Sequence, residues 1–288
     1  MTAPQTVTPE LRQWIIEQAR AGCRPDAVLA AMRSSGWDED VALDALNRTL
    51  EDFLGTQAAS QAVAQALPPP LRVPEPALGG SPSRLWAHDR EVTVLLAMRH
   101  PRVVVFGGLL SDAECDELVA AAAPRMARSE TVVLETGGNE VNAARTSDGM
   151  FFGRGELPIC QRVEERIAAL LNWPLVNGEG LQVLHYRPGA EYKPHHDYFD
   201  PAQPGMAAVL RRGGQRVGTV VMYLNTPEQG GGTVFPDVQL EVAPIKGNAV
   251  FFSYDRPHAV TRSLHGGAPV LAGEKWVATK WLREAEFI

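Results

Sequence analysis

From Leu181 to Arg283 the chain is a succession of short apolar runs cut by Gly and Pro turns, and no other feature limits its fold as strongly. Runs at 181–187, 191–197, 216–225, 232–235, 248–254, 259–265 and 274–283 are each of strand length. They are rich in the β-branched and aromatic residues that suit a pleated surface. Val103-Val104-Val105-Phe106 is an earlier strand of the same type, and Val132-Val133-Leu134 another, with Gly137-Gly138-Asn139 as its turn. Two helices precede the main series. Ser111-Asp112-Ala113-Glu114 has the form of a capping box and opens a helix through Ala123. Pro158 to Leu171 is amphipathic with helical spacing. Supporting helices followed by many short antiparallel strands predict an α+β domain over 84–288, its core a double-stranded β-helix or jelly roll.

Residues 8–54 read as a separate small helical bundle. Thr8 caps a first helix with Pro9 at its first position, and Asp38 caps a third carrying Val41, Leu43, Ala45, Leu46, Leu50 and Phe53. Three short helices with a Gly36-Trp37 turn resemble a ubiquitin-associated (UBA-like) module, which implies a protein partner for these helices. Residues 55–83 read as a linker, first Ala/Gln-rich and then Pro-rich through Pro68-Pro69-Pro70, Pro74, Pro76 and Pro82.

The formal net charge is -7, and no Lys/Arg-rich run is present. That disfavours nucleic acid and leaves peptides and small molecules as partners. No window reaches the roughly 20 apolar residues that span a bilayer, so no membrane association is expected. Cys23, Cys115 and Cys160 lie far apart without CxxC spacing and read as reduced thiols, and the first residues do not read as a signal peptide. A cytoplasmic location follows as the expectation.

His195 and Asp197 flank one residue in Tyr192-Lys193-Pro194-His195-His196-Asp197. On a strand, residues i and i+2 share a face, so these two project together and His196 points away. Two histidines with one carboxylate form the facial set that holds non-haem Fe(II) and leaves positions open. Either His258 or His265 could close the set, whereas His88, His100 and His185 read as surface or packing residues. Only His265 leads into a Gly-Gly turn and then a strand bearing a lysine, Lys275, ten positions on. On that strand Lys275, Val277, Thr279, Trp281 and Arg283 share one face. A lysine among such neighbours is predicted to line a pocket, and a buried ammonium requires an anionic partner. The far carboxylate of 2-oxoglutarate would be that partner.

The run from Leu181 through Asp197 resembles the first core motif of the prolyl 4-hydroxylases related to the collagen enzyme. Arg145-Thr146-Ser147-Asp148-Gly149 resembles that family's RTSxG segment. Gly214-Gln215-Arg216 to Asn225, then Gly230 to Pro236, are similar to its middle strands, and His265 to Trp281 to its last two. The resemblance selects His265 over His258. It implies His195, Asp197 and His265 as iron ligands, and Lys275 on the C5 carboxylate of 2-oxoglutarate, helped by Thr233 and the Tyr186 hydroxyl. It implies Tyr192, Arg216 and Trp281 in the peptide pocket, with Arg145 nearby. Arg283 stands where relatives often carry a histidine tied to substrate, a departure that bears on which peptide is taken.

The implied activity is dioxygenase hydroxylation of a C–H bond, foremost in a prolyl residue of a peptide or protein, with a proline-rich segment as the expected partner. It would use Fe(II), 2-oxoglutarate, O2 and ascorbate and release succinate and CO2. Two alternatives remain at this stage: a same-fold oxygenase acting on a free amino acid or small metabolite, and a non-catalytic binding protein.

Overall fold

The computed structural model describes residues 5–128, 131–132, 139–140 and 145–288. Val133, Leu134, Gly137 and Gly138, part of an expected strand and turn, lie outside them. The chain forms two compact units, one up to Pro68 and one from Pro69 onward.

The first unit holds helices Pro9–Arg20, Pro25–Ser34 and Glu39–Ala66. The Thr8 side chain accepts from Leu11 N–H, and the Asp38 side chain accepts from Asp40 and Val41 N–H, which satisfies donors left free at each helix start. Ile15, Val28, Met32, Ala42, Ala45 and Leu46 make its core. Leu43, expected on the apolar stripe, is exposed, because helical spacing turns it away from Ala42, Ala45 and Leu46.

The expected linker is divided between the two units. The third helix runs on through the Ala/Gln-rich stretch to Ala66, as that composition allows. Leu71, Val73 and Leu78 pack against the core of the second unit. Leu71 N–H donates to Asp255 O at 2.6 Å and Glu75 N–H to Leu171 O at 2.9 Å. Proline keeps this stretch extended, while its alternate apolar side chains have a surface to bury against.

Two facing sheets build the second unit. Within the larger, nine strands lie in the order Arg84–Ala87, Arg90–Met98, Arg102–Gly107, Ala249–Ser253, Arg216–Tyr223, Lys275–Arg283, Leu181–Tyr186, Asp148–Phe152 and Ala127–Arg128. The smaller sheet orders Leu240–Val242, Thr233–Phe235, His265–Gly267 and Tyr192–His195. All these pairings are antiparallel, and the architecture is a double-stranded β-helix with supporting helices. One apolar cluster, including Phe106, Val163, Ile167, Val220 and Ala278, lies between the large sheet and helices Asp112–Ala122 and Pro158–Leu170. A second, including Leu184, Tyr223, Phe235, Phe252 and Val277, fills the space between the sheets. Every residue of Lys275–Arg283 is therefore buried, one face in each cluster.

Two expected strands differ from the structure. The run 259–265 is not a strand until His265. Ala259–Thr261 is a 3-10 turn, closed when the His258 ring accepts from Val260 N–H and Arg262 takes a φ of 51°. The run 191–197 pairs only over Tyr192–His195, so Asp197 reaches the site from the bend beyond the strand rather than from the strand face.

Candidate active site

Antiparallel register does what sequence proximity cannot. His265 pairs directly with His195 across the small sheet. Gly266 permits the approach: a Cβ there would stand 2.8 Å from the Tyr192 carbonyl oxygen. Asp197 closes the group. His195 Nε2 lies 3.5 Å from Asp197 Oδ1, and His265 Nε2 lies 3.5 Å from Asp197 Oδ2. One ligand atom from each of the three residues falls within 4.8 Å of the others.

The protonation of this group suits a divalent cation. His195 Nδ1 is 2.9 Å from Lys193 O and His265 Nδ1 is 3.0 Å from Ser263 O. A carbonyl only accepts, so each Nδ1 carries a proton and each Nε2 is the nitrogen turned to the centre. Burial pushes the His265 imidazole down to about 4 despite Asp197 beside it, so it is neutral at pH 7. Burial alone would raise the Asp197 carboxyl, but His265, His195 and Arg216 more than offset this and hold it well below the usual carboxylate range. Two imidazoles and one carboxylate are the donor set of the Fe(II) facial triad. His258 takes no part, since it is exposed and its Nδ1 accepts from Val260 N–H.

Lys275 lines the same pocket as the triad, together with Tyr186 and Thr233. It is 3% exposed, and its Cα pairs with that of Tyr186 on the neighbouring strand. Its ammonium donates to Gly231 O at 2.7 Å and sits 4.7 Å from the centre of the Tyr186 ring. Gly231 has a φ of 73° and turns its carbonyl toward the lysine. Among the described residues no carboxylate pairs with Lys275, and burial pushes its pKa down to about 8. A buried cation partnered by a carbonyl and a ring face has capacity for an anion. Thr233 Oγ1 accepts from the Tyr223 hydroxyl at 2.8 Å.

Tyr192, Arg145 and Trp281 border the triad in the same pocket. The Tyr192 ring stacks on His195 with centroids 3.7 Å apart, and the Arg145 guanidinium lies 4.8 Å from the same ring centre. Arg145 also donates to Gln182 Oε1 at 2.8 Å. Burial pushes the Tyr192 hydroxyl up to about 12, so it stays protonated. Among the described residues Trp281 Nε1 is buried with no hydrogen-bond partner, a donor placed where a bound molecule can accept from it.

Arg216 and Arg283 share one buried carboxylate, that of Glu179. Arg216 donates to Glu179 through Nε at 2.7 Å and Nη2 at 3.0 Å, and Arg283 Nε donates to Glu179 Oε1 at 2.6 Å. Both border an adjoining cavity rather than the triad pocket. The Arg216 guanidinium lies 4.0 Å from the Trp281 ring centre, and its charge also reaches Asp197.

Three contributors escape a reading of the sequence alone. Thr219 donates to Asp197 Oδ2 at 2.7 Å and is 2.9 Å from the Tyr254 hydroxyl. Glu179 joins the two arginines. A β-bulge between Arg216 and Gly218 reverses the alternation of that strand, so a face count starting at Arg216 sends Thr219 outward. The signal for Glu179 is its position just before Leu181, but only the fold brings it to residues 37 and 104 positions away.

The family model for the 2OG-Fe(II) oxygenase superfamily matches residues 181–283. Prolyl 4-hydroxylase 5 of Arabidopsis thaliana is 40% identical over 209 residues, which is 65% of this chain and 70% of that protein. Prolyl 4-hydroxylase 1 of Arabidopsis thaliana is 40% identical over 225 residues, 69% of this chain and 77% of that protein. Among solved structures, a viral collagen prolyl hydroxylase from Paramecium Bursaria Chlorella virus-1 in its 2-oxoglutarate complex aligns with 30% identity. The alignment has a TM-score of 0.49 and covers 63% of this chain and 95% of that one.

Proposed function

The chain belongs to the 2OG-Fe(II) oxygenase superfamily and, within it, to the prolyl 4-hydroxylases; from that premise we propose that it hydroxylates prolyl residues of a peptide or protein. The observation that carries the reading is the convergence of His195, Asp197 and His265 in one pocket with the buried Lys275.

His195, Asp197 and His265 would hold Fe(II), and Lys275 would hold the C5 carboxylate of 2-oxoglutarate, with Thr233 and Tyr186 beside it. Metal and cosubstrate together supply the oxidising chemistry, in which 2-oxoglutarate is converted to succinate and CO2 and one atom of O2 enters a C–H bond. The protein's own contribution is positional. The Nδ1 bonds to Lys193 and Ser263 carbonyls fix both imidazole planes. Thr219 fixes the carboxylate of Asp197. Leu184, Val221 and Val277 line the pocket with apolar surface that disfavours water. The unpartnered Trp281 N–H and the protonated Tyr192 hydroxyl would donate to the carbonyls of a bound peptide.

A proline-rich segment is the substrate shape we favour, since a polyproline II strand is preformed and loses little entropy on binding. Ascorbate would serve as the reductant that keeps the iron ferrous. A reducing, cytoplasmic setting is the reading supported by the free thiols of buried Cys115 and Cys160. We also propose that the three-helix unit binds a protein partner.

Incubating proline-rich peptides with the protein, Fe(II), ascorbate and 2-oxoglutarate should add one oxygen to a prolyl ring, read by tandem mass spectrometry, with matching succinate. His195→Ala should abolish both products. Oxygen insertion into free amino acids but into no peptide would replace this reading with that of a small-molecule oxygenase.

A further inference from the structure

A second cavity of about 620 Å³ adjoins the triad pocket across Trp281 and Arg216. That volume is in the range of sites that take small ligands or side chains. Phe151, Phe199 and Phe287 contribute apolar wall, but the charges around it do not balance. Arg154, Arg212, Arg216 and Arg283 face it, with Glu179 as the carboxylate among them. That leaves four guanidiniums against one carboxylate.

The hydrogen bonds show which donors remain. Glu179 is already engaged by Arg216 at both oxygens and by Arg283 at one. Arg283 Nη1 donates to Gly214 O at 2.7 Å, Arg212 Nε to Ile288 O at 3.0 Å, and Arg154 Nη1 to Val176 O at 2.6 Å. Among the described residues, Arg216 Nη1, Arg283 Nη2 and both Nη atoms of Arg212 have no protein acceptor. Arg216 and Arg283 are largely buried, with side chains 13% and 3% exposed, and they are held in place by Glu179 and by the Phe199 ring, 4.8 and 4.9 Å away. Prearranged, incompletely partnered guanidiniums in a recess select planar anions through paired N–H donors.

We propose that this cavity is an acidic subsite, which takes the carboxylate of an aspartate or glutamate close in sequence to the target residue of a peptide substrate. The inference rests on the peptide-hydroxylase reading. Proximity follows from Trp281, which lines the triad pocket and whose ring centre lies 4.0 Å from the Arg216 guanidinium that lines the cavity. An occupant of the cavity therefore sits beside the residue presented to the triad. Arg283, which extends the guanidinium cluster, gives this chain a charge preference of its own.

The test is a peptide scan. Proline peptides carrying Glu, Gln or Lys at each of the three positions on either side of the target proline are assayed for kcat/KM by mass spectrometry. At one position at least, Glu should exceed Gln by about tenfold, chiefly through KM, as one charge-assisted hydrogen bond would give. The ratio should shrink with added salt. Arg212→Gln and Arg154→Gln should each move the Glu/Gln ratio toward one, a readout that a merely structural role would leave in place. Equal kcat/KM for Glu and Gln at every position, or a preference for Lys, overturns the subsite and leaves the hydroxylase reading standing. Fluorescence anisotropy with labelled peptides separates the two failures. Tighter binding of the Glu peptide with no oxygen added to any peptide would support the subsite and sink the hydroxylase reading.

Discussion

The Thr219 hydroxyl donates to Oδ2 of Asp197 at 2.7 Å, and both side chains are almost wholly buried. Because the Thr219 proton is committed to the carboxylate, the Tyr254 hydroxyl 2.9 Å away donates to Thr219. A chain Tyr254 to Thr219 to Asp197 thus runs from the core between the sheets to the ligand group and sets the carboxylate plane.

Thr219→Val keeps the volume and removes that donor. Metal affinity should fall by roughly 10- to 100-fold, the usual cost of losing an outer-shell partner, as measured by anaerobic titration calorimetry with Fe(II). Thr219→Ser should restore it. Native affinity in the valine variant would mean that another group orients Asp197.

Lys275 should make 2-oxoglutarate binding depend on pH. Burial lowers its pKa from 10.5 to about 8, so affinity should decline as pH rises through about 8 and the ammonium is lost. Folding stability without cosubstrate should run the other way. Between about pH 8 and 10.5 the unfolded lysine holds a proton that the folded one has released, so stability rises with pH across that window. The rise should be on the order of 3 kcal/mol. Lys275→Met should abolish 2-oxoglutarate binding and flatten that rise in urea melts taken at several pH values.

Glu179→Gln leaves Arg216 and Arg283 close together without their shared anion. Loss of a buried charge partner costs roughly 3–5 kcal/mol, so thermal unfolding should shift clearly downward. Adding Arg283→Met should recover part of the loss. An unchanged melting temperature in Glu179→Gln would show the cluster to be well solvated.

Truncation separates the two units. Removing residues 1–68 should leave the oxygenase unit folded and 2-oxoglutarate turnover intact, because each unit has its own core. Extending the deletion through residue 83 should lower stability by several kcal/mol, since Leu71, Val73 and Leu78 would leave the sheet they cover. Equal melting temperatures for the two truncations would contradict this.

Much of this architecture was legible in the residue order. Alternation of apolar runs with Gly and Pro turns specifies many short strands, because the side-chain period and the turn residues are local properties. The caps at Thr8, Asp38 and Ser111 were legible for the same reason. The spacing of His195 and Asp197, and the setting of Lys275, pointed to a metal with an anionic cosubstrate. Where reading failed, composition was overridden by a contact that it does not encode, close by in one case and distant in the other. The run 259–265 has strand composition, yet the His258 ring closes a 3-10 turn within it. The stretch 69–83 has linker composition, but its apolar side chains find a surface.

What the sequence by itself determined is the inventory: which side chains are available, on which strands, with which neighbours two residues away. The resemblance had already chosen His265 over His258, but only the tertiary structure set it opposite His195, since antiparallel register pairs residues 70 positions apart. Only it turned Thr219 inward, through a bulge that no residue type announces, and joined Glu179 to Arg216 and Arg283. The physical reason is that facing and pairing are properties of two strands at once. A single strand fixes its own alternation, but which partner it meets, and in what register, is settled by the packing of the whole sheet.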